Sequence, residues 1–396
     1  MSARPIQAKR TGAAARLVSL GCFVAGLLAS SAGWAEPITP RSVDEVVEVL
    51  PVAAARPEER RLRKALAERP GDVALATALA RRYLDLARTL GDPRQAGLAL
   101  AALQPWSDPT RAPIEVLLLQ ATLDQHLHEF DTAAARLEQL VKRDPRQAQA
   151  WLTLATVRRV QGRYELSDAA CRALAAAGAA LHGAACLAEN DGLRGHADAA
   201  RSTLQRLAAT PRLDAGTRGW LLTTLAELEQ RNGTPEAAGS AWAAALHADA
   251  DSYAALGYAD FLIGQGQDAQ ALAALKDQPS TDAVLLRRAI AGTRSAARGA
   301  ADDVRELRAR ITQANLRPDT LATHGREQSM FALWVEHDPQ RALSLARENL
   351  RRQREPIDLL VLAQAARAAG SQEGLRDAER LRSEQGLVDR RLAALL

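Results

Sequence analysis

The sequence predicts an all-α fold, an α-solenoid in which antiparallel helical hairpins stack in a single row. Three observations predict it. Apolar residues recur at spacings of three and four over most of the chain, small residues recur at intervals of 33 to 38 residues, and glycines separate the predicted helices at the same intervals. The chain has 396 residues, of which 47% are hydrophobic and 4% aromatic, a length that suits one large repeat array or two to three ordinary domains.

The first 35 residues have the pattern of a cleaved secretory signal peptide. Residues 1–16 are basic and contain no acid, residues 17–28 form an apolar run, and a small-residue segment ends at Ala35. The apolar run is shorter than the ~20 residues that cross a bilayer as a helix. We expect cleavage near Ala35, no membrane span in the mature chain, and a location in the periplasm of a Gram-negative-type bacterium or outside the cell.

Residues 36–56 are expected to form an extended arm ahead of the array. Pro37, Pro40 and Pro51 surround a valine-rich stretch and disfavour a helix there. From Pro57 to Arg69 the pattern predicts a helix, which we interpret as a cap on the first repeat.

Two series of small residues, which we call landmarks, repeat with the same spacing through the middle of the chain. The landmarks of the predicted first helices are Ala121, Ala155, Ala188, Ala226 and Ala259. The landmarks of the predicted second helices are Ala133, Ser167, Ala200, Ala238 and Ala271. Both series advance by 34, 33, 38 and 33 residues, so both contain the same insertion. Glycines between the helices keep the same steps, except that His128 stands where the second hairpin would have its glycine; they are Gly162, Gly195, Gly233 and Gly266.

The clearest unit begins with Trp151, Leu154 and Ala155 and continues with Gly162-Arg-Tyr164 and then Ser167. This pattern resembles the tetratricopeptide repeat, whose period is about 34 residues. The resemblance implies a right-handed superhelix of helical hairpins in which the first helices line a concave groove. It covers an array over residues 57–277, and the pattern weakens over 278–396, where we expect divergent helical repeats and a cap.

The resemblance also implies which residues face the groove, because the register fixes the inward side of each first helix. The predicted groove residues are Leu118, Thr122, Leu152, Thr156, Arg159, Glu189, Trp220, Glu227, Tyr253 and Asp260. A wall that mixes apolar, aromatic, basic and acidic groups suits an extended peptide or a partner helix. The alternative is that these residues are solvated helix faces without a partner.

Two cysteines, Cys171 and Cys186, remain after the predicted signal peptide. They are 15 residues apart, on a second helix and the first helix that follows it, so they lie on stacked neighbours. In an oxidising compartment they could form a structural bridge worth about 3 kcal/mol. The alternative is a pair of buried thiols that serve as small core residues.

The charge distribution argues against a nucleic-acid partner. The chain carries 51 Lys and Arg against 47 Asp and Glu, but four of the basic residues lie within residues 1–35, and the rest of the chain carries 47 charges of each sign. A protein that binds a row of phosphates needs a clustered basic excess. We expect no nucleic-acid partner.

The sequence contains no recognisable catalytic constellation. It lacks the nucleophile elbow, the Walker loop and the zinc-protease motif. The segment Asp124–Glu129 contains His126 and His128, but side chains two apart on a helix point away from each other. We expect no enzyme, no cofactor and no metal site.

These observations lead to one functional hypothesis and two alternatives. The hypothesis is a non-enzymatic exported scaffold that binds a protein or peptide in its groove. One alternative is an accessory scaffold of a polysaccharide-export or envelope-assembly machine, as exported proteins of the resembled family often are. The other, from a different class, is a carrier of a metal or small ligand through His126 and His128. Partner identity and oligomeric state are left open.

Overall fold

The computed structural model describes residues 57–316 and 320–396, which belong to one compact unit that begins at Pro57. The predicted signal peptide at 1–35 and the predicted arm at 36–56 lie outside the described residues. Within the described ranges there are twenty α-helices, one short 3₁₀ segment at Gln104–Trp106, and no β-strand. The all-α prediction is confirmed.

Nine hairpins of antiparallel helices follow one another over the described residues. Their first helices are α2 (Val73–Leu90), α4 (Ile114–His126), α6 (Ala148–Val160), α8 (Ala180–Leu193), α10 (Ala215–Asn232), α12 (Ser252–Gly264), α14 (Asp282–Arg294), α16 (Thr320–Trp334) and α18 (Pro356–Ala368). Their second helices are α3 (Pro93–Ala102), α5 (Phe130–Arg143), α7 (Tyr164–Ala176), α9 (Ala197–Ala208), α11 (Pro235–Ala248), α13 (Asp268–Ala274), α15 (Ala300–Ala314), α17 (Pro339–Asn349) and α19 (Gln372–Gln385). Helix α1 (Pro57–Glu68) packs on α2, and the short helix α20 (Arg390–Ala393) packs on α10 and α18.

Almost every helix packs on its chain neighbours, the exceptions being the pairs α15–α16 and α19–α20, and each first helix also touches the next first helix. This is the contact pattern of a solenoid, in which a hairpin buries its apolar faces against the hairpins before and after it. The solenoid prediction is therefore confirmed by the helix pairing itself.

The small-residue landmarks lie where the two helices of a hairpin cross. All ten are buried, and none is more than 4% exposed. In the clearest hairpin the hydroxyl of Ser167 on α7 donates to the carbonyl oxygen of Ala155 on α6 over 2.9 Å. Ser329 on α16 donates in the same way to Ala342 on α17 over 2.8 Å, so the divergent hairpins keep this crossing. Small residues recur here because a larger side chain would hold the helix axes apart.

The turns within the hairpins use left-handed backbone conformations. Gly162 has φ +72° and Gly195 has φ +93°, a region that costs glycine nothing. His128, at the equivalent position of an earlier hairpin, has φ +60°. The histidine therefore adopts the conformation that glycine adopts elsewhere, and the fold keeps the same turn there.

The row of hairpins returns on itself, which the sequence did not predict. Backbone N–H groups near the carboxyl end donate to carbonyl oxygens in the middle of the array: Arg354 to Val160 over 2.7 Å, and Val388 to Leu193 over 2.8 Å. The side chain of Gln385 accepts from the hydroxyl of Tyr164 over 3.2 Å. Hairpin turns of the middle repeats thus pack against segments that lie about 195 to 221 residues later in the chain.

Gly162 shows why the turn must be small where this contact forms. A Cβ at this position would lie 2.6 Å from the side-chain amide carbon of Gln385. Glycine is therefore required at position 162 for two reasons: the positive φ of the turn and the close approach of the carboxyl-terminal segment.

No helix in the described ranges is long and apolar enough to cross a membrane.

Candidate functional site: the inner face of the array

The first helices carry two rows of side chains at equivalent register positions, which we call the inner face. Glu189, Glu227 and Asp260 each directly follow the landmark alanine of α8, α10 and α12. His182, Trp220 and Tyr253 lie seven positions before them on the same helices. Residues seven apart share one face of a helix, so an acidic row and an aromatic row run side by side across three repeats.

Side chains from distant helices converge on this face. Glu227 on α10 raises the pKa of the Tyr253 hydroxyl well above its ordinary value, desolvation of the hydroxyl group raises it further, and Glu355 and Glu189 add to the effect. Glu355 precedes α18 and Glu189 lies on α8, so carboxylates of two separated hairpins act on one hydroxyl.

Arg159 on α6 and Glu189 on α8 form the first cross-repeat pair. The guanidinium Nε lies 2.9 Å from the carboxylate Oε1, and each side chain is only 14% exposed. The other carboxylate oxygen, Oε2, is buried and has no hydrogen-bond partner among the described residues. Both were predicted groove residues, and the structure brings them together.

Glu227 on α10 and Tyr253 on α12 form the second pair. The Tyr253 hydroxyl donates to the Glu227 carboxylate over 2.7 Å, and the guanidinium of Arg231 lies 3.8 Å from the other oxygen. Burial raises the pKa of Glu227, while Arg231 opposes the increase. Although its hydroxyl is engaged, Tyr253 remains 62% exposed, so its ring is available for contact.

Asp260 on α12 pairs with Arg287 on α14, a residue outside the predicted groove set. The guanidinium binds both carboxylate oxygens, at 2.9 and 2.8 Å. Burial lowers the pKa of Arg287, but Asp260 outweighs it and the net direction is upward. The guanidinium of Arg287 therefore stays charged.

The same kind of cross-repeat pair continues to the last hairpin. Arg326 on α16 binds both oxygens of Asp358 on α18 and also contacts Glu355. These residues were not predicted because the repeat landmarks weaken beyond residue 277. The spacing carried a signal: Arg287 follows Asp260 by 27 positions and Asp358 follows Arg326 by 32, close to one repeat.

Four of the predicted groove residues lie on α4 and α6 and have little polar side-chain capacity left for a partner. They are Leu118, Thr122, Leu152 and Thr156. The hydroxyls of Thr122 and Thr156 donate to the carbonyl oxygens of Leu118 and Leu152 in their own helices, over 2.9 and 3.1 Å. All four residues are half-buried, and Leu118 packs on the amino-terminal core. Within residues 57–316 and 320–396 they form no cross-repeat hydrogen bond or ion pair.

The aromatic row has a stacked pair and an exposed ring. The rings of His182 on α8 and Trp220 on α10 are stacked, with centroids 5.6 Å apart and planes 18° apart. Trp220 is half-buried against the core, and Tyr253 continues the row on α12. Among the predicted groove residues, these two aromatics offer the largest apolar area.

The structure gives the metal alternative no geometric support. In the described ranges no group of three or more histidine, cysteine or carboxylate side chains is arranged to hold a metal ion. The carboxylate of Asp124 is engaged by Arg136 over 2.7 Å, and the ring of His128 stacks on Phe130. Burial lowers the pKa of His126, and Arg88 and His324 lower it further.

Cys171 on α7 and Cys186 on α8 are joined as a disulfide in the structure, with their Cα atoms 5.7 Å apart. Both cysteines are buried. The bridge would fasten one hairpin to the next beside the Arg159–Glu189 pair.

No protein-family model matches this sequence, and no curated protein is significantly similar to it. Similar solved structures include Pseudomonas aeruginosa pilF, with TM-score 0.36 and 16% identity over 49% of this chain and 90% of that one. They also include the human IFIT1 dimer with m7Gppp-AAAA, with TM-score 0.42 and 12% identity over 85% and 86%. A tetratricopeptide repeat protein from Parabacteroides merdae gives TM-score 0.32 and 12% identity over 78% and 90%. Likenesses at this distance transfer no function, so the assignment as a tetratricopeptide-like array depends on the helix pairing described above.

Proposed function

We propose that the protein is an exported, non-enzymatic scaffold that binds a segment of a partner protein against the inner face of α8, α10 and α12. The observation that carries the proposal is the aromatic row at one register position of three successive first helices. Export is supported by the signal-peptide pattern of residues 1–35.

The chemistry of the inner face favours a polypeptide over a small charged ligand. Aromatic side chains that keep part of their surface exposed are the usual anchors of protein interfaces, since they supply large contact area with few torsions to fix. The neighbouring acidic row is largely matched by Arg159, Arg231 and Arg287 within the protein. The face therefore presents apolar area framed by charged groups that are mostly paired within the protein, which suits an extended chain or a helix lying across the repeats.

The test is affinity capture from a periplasmic extract, with the wild-type chain and a Trp220→Ala/Tyr253→Ala variant as baits. We expect the partner to be retained by the wild type and lost by the double variant, because each truncation removes an anchor. The exposed Tyr253→Ala variant is tested alone as well, since Trp220 also packs on the core and its loss lowers stability.

Leu98→Ala on α3 and Leu166→Ala on α7 are the matched controls. Both leucines are exposed apolar residues on second helices, away from the inner face. They should retain the wild-type set of proteins. Identical sets from the wild type and the double variant would contradict the proposal.

A further inference from the structure

A cavity of about 580 Å³ lies between the carboxyl-terminal ends of α12, α14 and α16 and the returning helices α18 and α20. The volume is in the range of sites that hold small organic molecules, about 300–1,000 Å³. Its apolar walls include Ile263, Ile290, Met330, Trp334 and Leu360 from α12, α14, α16 and α18, together with Leu395, which follows α20. The cavity exists because the array returns on itself, and it lies apart from the aromatic row of the inner face.

The ionic side chains that line the cavity are already matched within the protein. Asp260 is bound by Arg287 at two oxygens. Arg294 lies 3.3 Å from Asp268. Arg391 binds both oxygens of Asp389, at 3.0 and 2.6 Å. Because each charge has its counter-charge, the cavity does not call for a charged ligand.

One polar group in the lining is unmatched. The side-chain oxygen of Gln364 on α18 is buried and has no hydrogen-bond donor among the described residues. A buried acceptor without a donor is costly, and a ligand that brings an O–H or N–H would remove that cost.

We propose that this cavity binds an uncharged, mainly apolar small molecule with one hydrogen-bond donor, such as an alkyl or acyl chain that ends in a hydroxyl or amide. The chain fills the apolar space between α14, α16 and α18, and its donor bonds to Gln364. The cavity shares Asp260 with the inner face but includes none of its aromatic row, so probe binding and partner capture can fail separately.

The test uses the neutral fluorescent amine N-phenyl-1-naphthylamine with the full chain. It carries one N–H and becomes bright in an apolar site. We expect saturable binding that 1-decanol displaces more effectively than decyl methyl ether, by about three- to tenfold, because the ether has no donor. Absence of saturable fluorescence would overturn the proposal, and equal displacement by the two competitors would overturn the role of Gln364.

A variant that fills the cavity tests whether the probe binds there. Gly264 lines the cavity on α12, and a Cβ built there meets no atom within 4 Å, so Gly264→Trp adds bulk without a clash at Cβ. We expect it to weaken probe binding by about tenfold or more. Gly97→Trp on α3, also exposed, helical and without a neighbour within 4 Å of its Cβ, is the control and should bind as the wild type does. Unchanged binding by Gly264→Trp would place the probe elsewhere and contradict the proposal.

Gln364→Leu separates the hydrogen bond from the apolar contact. The substitution keeps the size of the side chain but removes the acceptor. The variant should bind the probe and should lose the preference for decanol over the ether. Retention of that preference would show that another group accepts the bond.

Discussion

At the scale of single residues, His128 combines an unfavourable backbone with a buried ring. Its φ of +60° is the conformation that glycine adopts in the equivalent turns, and its Nδ1 is buried without a hydrogen-bond partner among the described residues. Burial lowers the pKa of the ring to about 4; Arg326 acts in the same direction, while Glu327 and Glu355 oppose it. The ring is therefore neutral in the folded protein at neutral pH.

This gives a prediction for the acid side of the stability curve. Between pH 4 and the ordinary histidine pKa of about 6.5, the unfolded chain binds the proton and the folded chain does not, so stability rises with pH and the gain is complete above that range. His128→Gly keeps the turn and removes the titration. Denaturant unfolding from pH 4 to 7 should show a flatter pH dependence in the variant, by up to about 1.4 kcal/mol per pH unit. Parallel curves for the two proteins would contradict this assignment.

At the scale of elements, the packing of α11 on α12 depends on Gly257. A Cβ there would lie 2.3 Å from a carbon at the far edge of the Trp242 ring, which is fully buried on α11. The close approach of the two helices therefore requires glycine at position 257. This position is not one of the repeat landmarks, so the sequence pattern did not predict it.

Gly257→Ala should lower the free energy of unfolding by about 1–3 kcal/mol, because the buried ring has no free space into which to move. Gly264→Ala on the same helix is the matched control. Its Cβ meets open space, so it should be neutral or stabilise by up to about 1 kcal/mol. Thermal unfolding of both variants checks the pair, and equal losses would show that the ring does not limit the approach of the helices.

At the scale of elements, the spacing of residues within the repeats was sufficient to predict most of the helix pairing. The spacing of Ala155 and Ser167 predicted a helix crossing, and the structure joins them by a hydrogen bond. The pairing of Arg159 with Glu189 also follows from the register that placed both on one face. Beyond residue 277 the landmarks weaken, and Arg287 was therefore not among the predicted groove residues. The structure nevertheless pairs it with Asp260 of the preceding repeat.

At the scale of the whole molecule, the return of the array could not be predicted from local pattern. Val388 and Leu193 are about 195 residues apart along the chain, and no periodicity relates them. The contact depends on the sum of small rotations between successive hairpins, which the sequence of one repeat does not fix. Arg352 of the segment before α18 and Glu129 at an early turn form an ion pair of the same kind, at 2.6 Å.

This return changes what the solenoid can do. In an open array each hairpin touches only its neighbours, and stability is a sum of local interactions. Here the last hairpins are bonded to the middle ones, so fraying of the carboxyl end must break contacts with α6, α8 and their turns. The returning helices α18 and α20 also line the cavity.

Hydrogen exchange at the backbone amides of Arg354 and Val388 tests this account most directly. Both amides lie outside helices, and each donates to a carbonyl oxygen of a distant hairpin. Residue-resolved exchange should find them protected to a degree comparable with amides in the centre of α18, because they open only when the returning segment detaches. Exchange of both at the rate of an unstructured peptide would show that the carboxyl-terminal hairpins do not bind the middle of the array.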